Sequence, residues 1–199
     1  MLLLILGLLV FLGIHLLPTA PDLRNGLAAR LGGNVYQAAF ALVAIAGMAL
    51  IVIGFGKAQM LAGSKNPILW DPPFWLRHVS FLLMLPAMIL LVAAYVPSRI
   101  RTAAKHPMLA AIKIWALAHL LANGDVASVL LFGSFLAWAV YDRISVKRRA
   151  ALGPLGTKTG GLVGDLTAVG GGLAAWAFML FGGHYWLIGV PLLSIGFAP

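Results

Sequence analysis

Lys105-His106-Pro107-Met108-Leu109 opens an apolar run that continues as Trp115-Ala116-Leu117-Ala118-His119-Leu120-Leu121-Ala122. It turns at Asn123-Gly124-Asp125 and enters a second apolar run ending Leu136-Ala137-Trp138. Two apolar runs of helical length on either side of so short a turn predict antiparallel neighbours, a helical hairpin over 106–141. Two histidines sit in or beside the first helix, and an amide and a carboxylate mark the turn. An ionisable residue inside a membrane segment is expensive and is by default a functional-site hypothesis.

The surrounding composition fixes the solvent. The 199 residues are 62% hydrophobic and 10% charged, with a mean hydropathy of +1.00. A soluble domain carries about 25% charged residues. The chain is therefore read as an integral membrane protein whose first partner is the lipid bilayer. With no cysteine it can form no disulfide, thiolate zinc site, iron–sulfur cluster or cysteine nucleophile. It has no glutamate either; its acids are Asp22, Asp71, Asp125, Asp142 and Asp165. The formal charge of +9 is read as topology signal and anionic-lipid contact, with no nucleic-acid partner.

Outward from the hairpin, the expectation is an all-α, polytopic transmembrane helical bundle of about six spans. Met1–Leu17 reads as a retained first span ended by Pro18, lacking the basic leader of a signal peptide. Asp22, Arg24 and Arg30 read as a short polar loop before a span over 34–55. Lys57–Trp75 is a longer connection with an interfacial Trp70-Asp71-Pro72-Pro73-Phe74-Trp75 run, and span three covers 76–95 with a kink at Pro86. Spans four and five cover 106–121 and 126–141. The single domain 1–199 thus divides into a five-span core, 1–141, a basic glycine-rich cytoplasmic linker, 142–165, and a C-terminal membrane segment, 166–199. Gly182-Gly183-His184 interrupts that last segment, which reads either as one long tilted span or as a span followed by a re-entrant or interfacial piece.

Loop charges orient the spans. Arg24, Arg30, Arg99, Arg101, Lys105, Arg143, Lys147, Arg148, Arg149 and Lys158 fall on one side, and Lys57, Lys65 and Arg77 on the other. The positive-inside rule puts the basic loops in the cytoplasm and the N-terminus outside. His15 and His106 then lie near the cytoplasmic face, His78 and His119 near the opposite one. His106 and His119 are separated by about 20 Å of helix and cannot share an ion. Two cross-helix pairs remain, His15 with His106 and His78 with His119.

Either pair suits a bis-histidine haem, which needs two imidazoles at one depth on different helices. Without cysteine, such a haem is a non-covalent b type. Arg24, Arg99, Arg101 and Lys105 lie on the side where the propionates of a haem at the first pair would emerge. Zinc held by two histidines and Asp125 is a weaker alternative, and His184 a third-rank ligand. Trp115, His119 and Asn123 recur every fourth residue and share a helix face that, with Asp125, would line a cavity. The plainer reading is that Asn123 caps the hairpin, Asp125 caps span five, and the histidines bond carbonyls of neighbouring helices. Trp138 and Tyr141 read as interface anchors, and Lys113 as a snorkelling side chain.

Gly13-Ile14-His15, Trp75-Leu76-Arg77-His78, Lys105-His106-Pro107-Met108-Leu109, the Trp115–Asp125 run and Leu131-Phe132-Gly133-Ser134-Phe135 resemble the NnrU family of bacterial membrane proteins, over almost the whole chain. The resemblance implies a place in the bacterial inner membrane and a link to nitrite and nitric-oxide metabolism in denitrifiers. The family is related to plant 15-cis-ζ-carotene isomerase, a haem b enzyme that isomerises a carbon–carbon double bond when its iron is reduced. On that resemblance His15 matches the first-helix ligand, and His106-Pro107 the His-Pro motif. The implied function is a redox-gated cis-trans isomerase of a lipophilic polyene-like molecule, or a haem protein acting on nitric oxide. The His-Pro element is also similar to integral-membrane methyltransferases, whose downstream carboxylate motif has no counterpart in a chain without glutamate. The alternative expectation is a non-catalytic membrane partner that assembles or stabilises a respiratory enzyme.

Overall fold

Backbone in hydrocarbon must satisfy its own N–H and C=O groups, so each apolar run is expected to become a helix. The computed structural model describes residues 1–61, 65–153 and 155–193, and it meets that expectation. Helix α1 is Leu2–Leu16, followed by a 3₁₀ turn at Leu17–Thr19; α2 is Pro21–Leu31 and α3 Gly33–Gln59. Helix α4 is Trp75–Ala93, α5 Arg99–Ala104, α6 Pro107–Ala122 and α7 Val126–Arg148. Helix α8 is Leu162–Phe178, a π turn covers Met179–Gly183, and α9 is His184–Ile188. No strand is assigned among the described residues.

Five segments are long and apolar enough to cross a membrane: Leu2–Thr19, Gly33–Gln59, Trp75–Ala93, Val126–Arg148 and Leu162–Ile188. The sixth apolar helix, α6, has 16 residues, about 24 Å of rise against a hydrocarbon thickness of about 30 Å. The chain is a multi-pass, all-helical membrane protein.

Two boundaries differ from expectation, each for a local reason. The polar loop at Asp22, Arg24 and Arg30 is the helix α2. Pro21 opens it where a missing N–H is harmless, Asp22 and Arg30 complement the two ends of its dipole, and Gly32 closes it at φ +81°. Helix α7 runs seven residues past Tyr141, so the expected linker begins as helix. Arg149 Nε donates to Ser145 Oγ at 3.0 Å, and its Nη2 lies 3.5 Å from Asp142 Oδ1. The last apolar region is broken at Gly182, which leaves helical backbone between α8 and α9. Residues 194–199 of that expected region lie outside the described residues.

The chain divides into two compact units, Met1–Arg77 with His119–Ala151, and His78–Ala118 with Leu152 onward. In the first, α1 and α3 pack antiparallel along a seam of small residues. A Cβ on Gly7 would lie 2.5 Å from the Ile51 nitrogen, and one on Gly47 2.7 Å from the Phe11 nitrogen. A Cβ on Gly54 would drive into the backbone of Leu3 and Leu4. Lipid is as apolar as leucine, so helix pairs in a membrane are held by such close backbone approach and its dispersion contacts.

In the second unit, a Cβ on Gly172 of α8 would lie 2.5 Å from Ile89 Cα of α4. Trp176 Nε1 donates to Phe81 O of α4 at 2.9 Å, one residue from the carbonyl that Pro86 deprives of its helical donor. Ser80 Oγ donates to Ala118 O of α6 at 2.7 Å. Gly160 and Gly164 pack on the Pro97 carbonyl with no room for a side chain.

Gly54→Ala is expected to destabilise the protein by about 1–3 kcal/mol through overpacking. Gly56→Ala, two residues on and with open space at its Cβ, is expected to be neutral or stabilising by up to about 1 kcal/mol from helix propensity alone. Thermal melts of the two variants in one detergent check the contrast. Equal melting points would contradict the seam.

Candidate functional site

His15 is the penultimate residue of α1, and its ring is held from two directions. Nδ1 lies 2.7 Å from Phe11 O, one helical turn back. A carbonyl can only accept, so Nδ1 carries the proton and the lone pair is on Nε2. Aromatic rings surround the imidazole: Phe11 at 4.2 Å, Phe40 at 5.3 Å and Trp138 at 5.8 Å between centroids, the last nearly perpendicular at 87°. Phe135 extends the enclosure through Phe11, at 5.6 Å. A histidine whose Nδ1–H bonds a backbone carbonyl has a defined tautomer and ring orientation, the usual second-shell arrangement of an imidazole ligand.

Trp138, which the sequence suggests as an interface anchor, has its Nε1 buried and, among the described residues, without a hydrogen-bond partner. Its position was legible in one respect: Phe132, Phe135 and Trp138 recur every third residue of α7, an aromatic face.

His106 occupies the turn between α5 and α6 in the second unit. Lys105 adopts φ +62° and ψ −48°, the rare, strained geometry at the centre of a γ-turn. His106 N donates to Ala104 O at 2.7 Å, and His106 O accepts from Ala110 N at 3.2 Å, placing it as the residue before the Pro107-led first turn. Lys105 is exposed. Arg101 is buried, its Nη1 donating to Lys158 O at 2.6 Å and its Nη2 to Gly156 O at 2.7 Å. Its guanidinium thus clamps the glycine-rich segment. Arg99 Nε pairs with Asp165 Oδ2 at 2.5 Å, and Asp165 Oδ1 accepts Arg99 N at 2.7 Å.

His119 stacks on Phe132 at 4.5 Å in the first unit, and His78 lies edge-on to Phe81 at 6.4 Å in the second. Each expected pair therefore draws one histidine from each unit. His184 Nδ1 bonds Val190 O at 2.8 Å and closes the turn after α9. Trp115 is half-buried on α6. Among the described residues no group of three or more His, Cys, Asp or Glu could hold a metal ion, so the zinc alternative through Asp125 has no cluster to use.

Asn123 and Asp125 have structural partners. Asn123 Nδ2 donates to His119 O at 2.9 Å, capping the end of α6. Asp125 caps α7: Oδ1 accepts Ser128 N at 3.0 Å and Oδ2 accepts Ser128 Oγ at 2.6 Å. Oδ1 also accepts Gln59 Nε2 at 3.0 Å and Asn66 Nδ2 at 3.1 Å. Asn66 Oδ1 in turn accepts Ala127 N at 3.0 Å. Gly124 makes room for this knot, since any Cβ there would strike the Trp70 carbonyl. Gln59, Asn66 and Ser128 carry no pattern in the sequence that links them to Asp125.

Residues 3–192, nearly the whole chain, match the profile of the family described as NnrU protein, and the chain belongs to that family. No curated protein and no solved structure matches it.

Burial pushes the Asp125 carboxyl up, but hydrogen bonds from the Ser128 hydroxyl and backbone, Asn66 and Gln59 outweigh it and hold the pKa below the ordinary 3.8. A carboxyl depressed on folding contributes stability above its unfolded pKa and loses it as pH falls through the folded one. Melting temperature is therefore expected to drop as pH falls below about 3.8, and Asp125→Asn is expected to flatten that drop. Melts between neutral pH and about pH 2.5 test it. Parallel curves for the two proteins would contradict this role for Asp125.

Proposed function

We propose that the protein binds haem b non-covalently in the bacterial inner membrane, with its N-terminus outside, and that His15 and His106 are the histidines that would hold it. The observation that carries this reading is His15 itself: Nδ1 bonded to Phe11 O, the lone pair on Nε2, and aromatic faces on several sides. A histidine serving only packing would gain as much from any acceptor. This one has Nδ1 committed to Phe11 O, which leaves Nε2 as the nitrogen that can meet a guest. The orphaned donor of Trp138 beside it also fits a site built around a polar guest.

The chain's contribution is binding, orientation and exclusion of water. The Phe11 carbonyl sets the tautomer of His15, and the rings of Phe11, Phe40 and Trp138 pack around its imidazole. The tight Lys105-His106-Pro107 turn fixes where His106 leaves the backbone, with the exposed Lys105 ammonium adjacent for a carboxylate. Arg101 and Arg99, committed to the 156–165 segment, support that turn from behind rather than meeting the propionates. When bound, haem supplies a redox-switchable iron to which a double bond or nitric oxide can coordinate. The reading therefore extends to a redox-gated isomerase of a lipophilic polyene, or to nitric-oxide handling in denitrification.

The test is optical. Detergent-purified protein supplied with haemin is expected to show a Soret band and sharp reduced α/β bands, with His15→Ala and His106→Ala each losing the six-coordinate spectrum while keeping helical circular dichroism. A wild type that takes up no haemin sinks the reading. Unchanged spectra in both variants would move the ligands elsewhere, with His78 and His119 next to be replaced.

A further inference from the structure

We propose that Trp138 is a cofactor-binding residue: its indole N–H donates to a carboxylate oxygen of the group held at His15. This rests on the haem reading above and extends it to a residue of α7.

A buried donor without an acceptor keeps its full desolvation penalty, and native chains rarely leave one standing. Phenylalanine would fill nearly the same space on this aromatic face without that penalty. Trp138 Nε1 is buried with no partner among the described residues, and its ring meets the imidazole of His15 at 5.8 Å and 87°. Within the enclosure, the Phe11 carbonyl is already taken by His15 Nδ1. His15 Nε2 is the ligating atom. An oxygen of the guest would supply the acceptor that the described residues lack.

The chemistry of that acceptor follows from the guest and from depth. The oxygen acceptors of haem b are its two propionates. His15 lies one residue from the end of α1, and Trp138 one turn before the exposed Tyr141, the level at which propionates leave the hydrocarbon. A bond from a neutral N–H to a carboxylate is charge-assisted, stronger than one to a neutral oxygen, and best met where water is excluded. The phosphate of an anionic lipid offers similar oxygens at the same depth, and the test separates the two sources.

Full-length wild type and Trp138→Phe are titrated with haemin and with haemin dimethyl ester, followed at the Soret band. The ester keeps the iron and ring but carries no carboxylate. Trp138→Phe is expected to weaken haemin by about tenfold and the ester by about twofold or less. The wild-type-minus-variant ultraviolet resonance Raman spectrum is expected to show the indole N–H band shifting when haemin is added. Equal weakening of both ligands would reduce Trp138 to packing and overturn the proposal. No weakening of either would overturn it too, with a lipid phosphate then the acceptor if the N–H band responds to added anionic lipid. Failure of the wild type to bind either porphyrin would overturn this proposal and the haem reading together, whereas the preceding outcomes leave His15 as a ligand.

Discussion

A side-chain donor placed in hydrocarbon has no water to turn to, and the acceptors available are helix carbonyls that already hold one hydrogen bond. The second lone pair of those carbonyls is what ties the polar side chains of this protein down. His15 bonds Phe11 O, Ser80 bonds Ala118 O, Asn123 bonds His119 O and Trp176 bonds Phe81 O. The His15 and Asn123 bonds reach one turn back along the same helix, while those of Ser80 and Trp176 cross between helices and fasten α4 to its neighbours in the second unit. Apolar area could not do this work, because lipid competes equally for every leucine. Trp138 departs from the pattern, and its departure coincides with the aromatic enclosure of His15.

The same constraint explains what was legible in the sequence. Helix existence was, because each apolar run had to become helix to satisfy its backbone. The break at Gly182 and the capping turn at Asn123-Gly124-Asp125 were also legible, since glycine and Asx residues act locally. The helix α2 was not, because a charged segment such as Asp22–Arg30 has no hydropathy signal and is shaped by Pro21, Gly32 and its own dipole. Nor was the reach of α7 to Arg148, where polar residues continue a helix that the bilayer no longer requires.

The site was partly visible. His15 stood out as a polar residue in an apolar run, yet nothing in the sequence says that Phe11 O fixes its tautomer or that Phe40 and Trp138 close around it. Long-range partners leave no periodicity. The same holds for Asp125, whose cap was readable from its place before α7 while Gln59 and Asn66, from separate parts of the chain, were not. Arg101 is the instructive reverse case: its charge suggested a propionate partner, and its burial under the carbonyls of Gly156 and Lys158 gives it a structural task.

The account depends on Nε2 of His15 being a metal ligand. Electron paramagnetic resonance of the ferric, haemin-loaded protein tests this most directly, with samples grown on natural and on ¹⁵N-labelled histidine. A low-spin ferric signal whose nitrogen hyperfine couplings change with the histidine label, and which collapses towards high spin in His15→Ala, is the predicted result. A high-spin signal in the wild type, or couplings that ignore the label, would contradict it.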